Sequence, residues 1–424
     1  MKIKTHFPLL LSAALAFAPP LRAADTDAAA TAINSLGIDL LKKTNGPSEN
    51  TLLSPYSVQN ALAMTYAGAA GETRDEMRKV LHFPKESAEL DKSFAALDQR
   101  LAAIAAQSKN VVDRSKEMGG PAEPITLSVA DRLYAQKGYE FRPAFFEEVK
   151  KYYGAPVEQA DFTTGAESAR KEINGWAADQ THDRIRDLIP GGGVNANTRL
   201  VLVNAIYLKA AWEYEFQKFV TQPAPFHVKG GDPEQVPTMS AMKQYGYAKG
   251  GGFTVVTLPY VGGDLQFVVL LPDEPDGIAA LEAKLTPELL AGCAASKPAL
   301  VHLWMPKFKM EPPTVDLGGE LAGMGMQTAF DEPQGSANFD AMSPRTPTNY
   351  LFISKVFHKT FISLDEHGTE AAAATAVAMA AGAAPHRETP PKPVEVHVDH
   401  PFVFAIQDRK SGACLFLGRV TDPR

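Results

Sequence analysis

The chain predicts an α+β fold, on three observations. Apolar residues in the first third recur at helical spacing, and β-branched and aromatic runs dominate from about residue 199. Two apolar strand patterns, HPFVFAIQD and CLFLGRV, then close the chain. Helices gathered ahead of antiparallel strands are the pattern of helices packed on sheets, not of alternating βα units.

Ahead of the fold, Lys2 and Lys4 precede an apolar run from Phe7 to Ala18, and Leu21-Arg22-Ala23 offers a small-residue cleavage site. Residues 1–23 therefore read as a secretory signal peptide, and the protein is expected to be secreted, extracellular or periplasmic. That run is too short to span a bilayer and no later run reaches about 18 apolar residues, so no membrane partner is expected. Removing residues 1–23 leaves 39 basic against 49 acidic side chains, a net charge of −10. An acidic chain with no basic block argues against nucleic acid as a partner. Residues 24–424 read as a single domain, because no fixed-period repeat and no dividing linker interrupt them. Only two cysteines are present. Cys293 and Cys414 could pair in an exported chain, or Cys414 could be a small buried hydrophobe opening a strand.

The helical part begins with a pattern from Met64 to Leu81, broken by AGAAGET. Leu90, Phe94, Leu97, Leu101 and Ile104 then trace one apolar helix face. A polar stretch from Gln107 to Pro124 separates these helices from a strand, Ile125 to Ala135. Arg142 to Tyr153 has Pro143 in its first turn and Lys150 and Lys151 near its end, where the helix dipole favours cations. Strands follow at Arg199 to Trp212, with Asn204 as its interior polar residue, and at Phe253 to Tyr260, Leu265 to Pro272 and Leu300 to Met310. Turns such as VGGD and PDEPDG connect them.

One stretch breaks this pattern. Asp365 to Pro393 follows an apolar strand tail (Phe361, Ile362, Leu364), becomes alanine-rich, and ends rich in proline. It holds too few large side chains to build a core of its own. It is either a linker or surface loop, or a loop kept small so that it can enter something else. A linker needs a domain after it, and only 31 residues follow Pro393.

Enzyme chemistry has no visible home. GxxxxGK, HExxH, GxSxG and paired CxxC motifs are missing. On a strand His397 and Asp399 face one way and His400 the other, so they do not converge as metal ligands. Ser57 and His358 lack a third triad member and read as core hydrogen-bonding residues. No catalytic residue, metal or cofactor is assigned.

Several motifs in order resemble the serpin family across nearly the whole mature chain. NTLLSPYSVQNALAMTYAGAAGETRDEM carries a Ser-Pro-x-Ser signature at Ser54, Pro55 and Ser57. LVNAIYLKAAW holds Asn204 and Trp212. VPTMSAM, FVVLLPDEPDG and MPKF follow, then the hinge-like FHKTFISLDEHGTEAAAAT and the C-terminal HPFVFAIQDRKSGACLFLGRVTDP. As a bacterial-type secreted serpin, the chain would have three β-sheets, about nine helices and an exposed reactive-centre loop over 366–393. The resemblance implies a non-enzymatic, suicide-substrate inhibitor of a serine protease, elastase-like or subtilisin-like, acting as a monomer. The protease cuts the loop, is held as a covalent acyl-enzyme, and is trapped as the loop enters the main sheet. A non-inhibitory serpin, a binding or storage protein, is the alternative.

On that resemblance, Glu366, Gly368, Thr369, Glu370, Ala371, Ala372, Ala373, Ala374 and Thr375 form the hinge. On insertion, if Thr369 faces inward then Ala371, Ala373, Thr375, Val377, Met379 and Ala381 do too, none of them charged or aromatic, while Glu370 suits the solvent face. Ser54, Ser57, Asn204 and His358 fall at the family's shutter. Trp212 and a Lys307–Glu366 ion pair would sit at the top of the sheet, the pair partly exposed and worth about 0–1 kcal/mol. The family's usual spacing from Glu366 puts the reactive bond between Gly382 and Ala383. Ala381, Met379 and Arg387 are the alternatives, Arg387 needing a longer inserting side and a trypsin-like target.

Overall fold

The computed structural model describes residues 28–370 and 392–424, apart from positions 45, 47, 86, 116–122, 155–156 and 229–230. The signal sequence, Ala371 to Thr375 and all the reactive-bond candidates (Met379, Ala381, Gly382, Ala383 and Arg387) lie outside the described residues.

The helices are α1 (Ala28–Lys43), α2 (Pro55–Ala67), α3 (Gly71–Val80), α4 (Ser87–Ser115) and α5 (Pro143–Tyr153). They continue with α6 (Phe162–Gln180), α7 (Ile278–Lys284), α8 (Pro287–Gly292) and α9 (Gly318–Gly323). The strands start with β1 (Thr51–Leu53), β2 (Thr126–Gln136), β3 (Val157–Ala160), β4 (Leu200–Ala211) and β5 (Gln222–Phe226). Next come β6 (Glu234–Gly250), β7 (Phe253–Pro259), β8 (Leu265–Pro272), β9 (Lys297–Pro306), β10 (Phe308–Met310) and β11 (Val315–Asp316). The last are β12 (Ile353–Thr360), β13 (Ile362–Leu364), β14 (Gly368–Thr369), β15 (Val394–His397), β16 (Phe402–Asp408) and β17 (Cys414–Val420).

Among the described residues the strands bond into two networks. One runs β1-β17-β16-β8-β7-β6-β9-β15, with β5 also on β6. Its long strand β6 pairs with β5, β9 and β7 in turn, so two of the three sheets implied by the resemblance are joined through it. The other network is the central sheet, β3-β2-β4-β12-β11, with β14, β13 and β10 continuing from the upper end of β4. All of its contacts are antiparallel except β3 on β2 and β12 on β4.

Strand β4 shows why its sequence is apolar without alternation. Leu200, Leu202, Ile206 and Leu208 enter the main core. Val201, Val203 and Ala205 enter a second cluster, under Phe162, Ile173 and Ala177 of α6 and under Ile185, Leu188 and Ile189. Both faces are covered, as in strands buried on two sides. Beneath the sheet, α2 is buried from Pro55 to Tyr66 and packs on β2, β4 and β17. Its N-cap is Ser54, whose Oγ accepts from Ser57 N, with Pro55 in the first turn.

Several sequence expectations shift. Helix α4 continues to Ser115, through part of the stretch read as a polar separator, because Ser108 and Val112 stay on its buried face. Helix α6 and strand β6 were not legible, the first being only weakly patterned and the second carrying Pro237 and mixed burial. Cys293 and Cys414 are both free and buried; burial pushes the Cys293 thiol up to about 12 and Cys414 higher still. Neither is a reactive thiolate.

Candidate functional site

The site lies along the line where β4 meets β12 and, higher up, β14. From Ile353↔Leu200 to Thr360↔Ile206 the two long strands are directly paired and parallel. Above that row they diverge, and β14 fills the space between β4 and β13: Gly368 pairs with Ala211, Thr369 with Ala210 and Leu364. The expectation of an exposed loop from residue 366 is therefore corrected, since Glu366 is 2% and Thr369 1% exposed. The strand begins inside the sheet because its backbone groups and side chains find partners there. Trp212 N and Phe216 N donate to the carbonyls of His367 and Glu366, both at 2.9 Å.

Gly368 cannot be replaced at this entry. Its φ is +149°, and a Cβ would lie 2.1 Å from the Ala210 carbonyl oxygen. Thr369 faces inward and its hydroxyl meets Tyr260 OH at 2.5 Å. Tyr260 in turn stacks on Trp212, with ring centroids 4.7 Å apart, and Trp212 Nε1 donates to the Asp365 carbonyl at 2.9 Å. Lys307 Nζ donates to Glu366 Oε2 at 2.7 Å and Thr221 Oγ1 to Oε1 at 2.8 Å. Burial works to raise the Glu366 carboxyl, but the bonds from Lys307 and Thr221 outweigh it and hold it below the usual range. Only the lysine end of this pair reaches solvent; the carboxylate end is buried.

The strand stops at Glu370. That residue turns out of the sheet at φ +49°, a left-handed conformation that costs a non-glycine residue about 1–2 kcal/mol. Its N–H still donates to the Ser363 carbonyl at 2.7 Å, while its side chain pairs with Arg184, from the segment after α6. In this uninserted arrangement the Glu370 side chain is 10% exposed. Burial raises its carboxyl even against the nearby Arg184.

Lower down, beneath the β4–β12 seam, lies a buried polar group. His358 and Asn204 are register partners on the two strands, and Nδ1 of the one bonds Oδ1 of the other. Ser54 N donates to His358 Nε2 at 3.1 Å, and Ser54 Oγ to the Leu415 carbonyl at 2.7 Å. Nε2 accepts here, so the ring is the neutral Nδ1–H tautomer; burial lowers its pKa to about 3. Ser57 does not reach the histidine. Its Oγ donates to Asp131 Oδ1 at 2.6 Å, and Asn60 Nδ2 to Oδ2 at 3.1 Å. Asp131 lies opposite Asn204 on β2, and burial pushes it up to about 8 although both hydrogen bonds act to lower it. Asp131, Tyr260, Thr221 and Arg184 all escaped sequence reasoning. Only the β2–β4 register, itself not visible in one sequence, could have flagged Asp131.

The sequence model of the family described as "Serpin (serine protease inhibitor)" matches residues 31–423. The chain belongs to the serpin family. Leukocyte elastase inhibitor of Equus caballus is 36% identical over 407 residues, 93% of this chain and 99% of that protein. An Arabidopsis serpin in its native stressed conformation superposes with a TM-score of 0.76 at 28% identity, covering 93% of this chain and 98% of that one. Uncleaved ovalbumin gives 0.74 at 29% identity, covering 93% and 100%. These relatives are eukaryotic and lend no support to a bacterial-type member. Among the described residues no cluster of His, Cys, Asp and Glu could hold a metal ion. His397 stacks on Trp304, whereas His400 bonds Asp399 and the Pro272 carbonyl, so the motif they share is divided between separate contacts.

Two predictions follow the geometry of this serpin. Lys307→Ala leaves a buried carboxylate at Glu366 and is expected to cost about 2–3 kcal/mol in urea unfolding of the uncleaved protein, against about 0–1 for an exposed pair. A loss below about 1 kcal/mol would refute the buried reading. For His358, the unfolded ring titrates near 6.5 and the folded ring near 3, so between those values the unfolded chain binds the extra proton. Its contribution to stability therefore falls as pH drops from about 6.5 toward 3. Asp131 pulls the opposite way, so the quantity to measure is the stability of wild type relative to His358→Asn. That difference should shrink on acidification; a flat difference would contradict a neutral, buried ring.

Proposed function

We propose that this serpin is a suicide substrate for an elastase-like serine protease, trapped by insertion of residues 371–382 between β4 and β12. One observation carries the reading: the inserting strand has already begun, and its register matches the slot. Continued downward, the pairings Gly368↔Ala211, Thr369↔Ala210 and Leu364↔Thr369 bring Ala373 between Ile206 and Thr360, and Thr375 between Asn204 and His358. Those are pairs that β4 and β12 now form with each other. Insertion exchanges one ladder for two and replaces the His358–Asn204 bond with contacts to the new strand.

The residues to be buried are compatible with that slot. Thr369 is already inside, and Ala371, Ala373 and Thr375 share its face by the two-residue period of a strand. Alanine has no branched or charged atoms to hinder passage between the main core and the cluster under α6. The reactive nucleophile belongs to the protease; this chain contributes the bond to be cut and a sheet held in its less bonded arrangement. The reactive bond is Gly382–Ala383, with Ala381, Met379 and Arg387 as the alternatives. The small residues there, and the names of relatives such as leukocyte elastase inhibitor, support a shallow-pocketed target, elastase-like or subtilisin-like. The protein is secreted through residues 1–23 and acts as a monomer.

The test is incubation of the protein with elastase, read on a denaturing gel. A band of the summed mass that survives detergent is the expected result, and loop cleavage without such a band would overturn the inhibitory reading in favour of a non-inhibitory serpin. Thr369→Arg is expected to convert the inhibitor into a plain substrate, because it places an unpaired charge where the threonine is buried against Tyr260. Undiminished trapping by that variant would count against insertion.

A further inference from the structure

Among the described residues five large apolar side chains are exposed, and four of them belong to one neighbourhood: Tyr214, Phe219, Val220 and Met242. Phe219 is 79% exposed and Met242 48%. Val220 and Met242 line one cleft of about 310 Å³ together with Lys243 and His302. Lys243 Nζ lies 5.9 Å from the centre of the Tyr214 ring, and Phe219 precedes Val220 in the single turn Lys218–Val220 that packs on β6. Scattered exposed apolar residues are ordinary on a protein surface, but a group of them is not.

The position of the group gives it a meaning. The segment that bears Tyr214, Phe219 and Val220 is tied to the chain just before the reactive loop: Thr221 Oγ1 donates to Glu366, and Glu215 Oε2 lies 3.1 Å from His367 Nδ1. The other side of the patch reaches the chain just after the loop. His302 packs on Trp304 with ring centroids 3.6 Å apart, and Trp304 stacks on His397 of β15 at 4.0 Å and 5°. The apolar patch is thus continuous with both anchors of the loop. Residues 371–391 contain only Val377 and Met379 as large apolar residues, a poor match for covering four.

We infer that Tyr214, Phe219, Val220 and Met242 form a second docking surface for the target protease, contacting an apolar area on the rim outside its active-site cleft. The inference rests on the inhibitory reading above. Its role is in specificity: the loop supplies a small residue that many shallow pockets accept, and the patch selects among the proteases that carry such pockets. It acts on the reversible complex that precedes attack on the loop, lengthening its lifetime, and takes no part in acylation or insertion.

The experiment uses the chain from residue 24 onward, as wild type and as Phe219→Ser combined with Met242→Ser, against the protease that wild type traps. Both positions are solvent-exposed, so folding should be unaffected, with an unchanged unfolding midpoint as the control. The half-saturating concentration for trapping is expected to rise about tenfold while the limiting rate and the number of inhibitor molecules consumed per protease stay the same. An unchanged half-saturating concentration overturns the patch while leaving inhibition standing. A wild type that forms no covalent complex overturns the inhibitory reading, and the patch with it. Wild-type dimers that the substitutions abolish, with trapping unaltered, would assign the patch to a second copy instead and overturn the proposal.

Discussion

Everything in this molecule turns on a direct parallel pairing between β4 and β12 that ends where β14 begins. Below Thr360↔Ile206 the sheet is closed; above it, two residues of a further strand are already in place. A parallel pair at the centre of an otherwise largely antiparallel sheet has a natural alternative, an antiparallel strand between them that bonds to both neighbours. The folded chain holds that alternative in reserve, because the residues that would supply the strand follow directly from Glu370.

What keeps the two arrangements apart is local chemistry at three heights. At the mouth, the buried Glu366 carboxylate is tied to Lys307 and Thr221, and the stacked Trp212–Tyr260 pair receives Thr369. One residue further, Glu370 leaves the sheet through a left-handed turn and an ion pair with Arg184, both of which must be undone before Ala371 can follow. Under the seam, His358 and Asn204 close the slot through a bond that exists only while the strands are adjacent. The Glu370–Arg184 pair and the His358–Asn204 bond both have to break before the strand can enter, so the closed sheet is best understood as kinetically held.

Much of the fold was legible in the sequence, for physical reasons that differ by element. The amphipathic face from Leu90 to Ile104 shows itself because one side of α4 faces the core, and β4 because both of its sides do. Gly368 and Thr369 could be read by motif and alternation. Partners that depend on long-range register could not: Asp131 meets Ser57 across 74 residues and Arg184 meets Glu370 across 186. The placing of Glu366 at the start of an exposed loop failed for a related reason. Charge suggests solvent, and although the Lys307 partner of Glu366 was legible from the resemblance, the burial of that carboxylate and its bond from Thr221 were not.

The most direct measurement compares thermal unfolding of the intact protein with that of protein cut once within residues 376–391. If the closed β4–β12 seam is the less bonded arrangement, the cut chain inserts its strand and unfolds at a markedly higher temperature than the intact one. An equal or lower midpoint after cleavage would contradict the account.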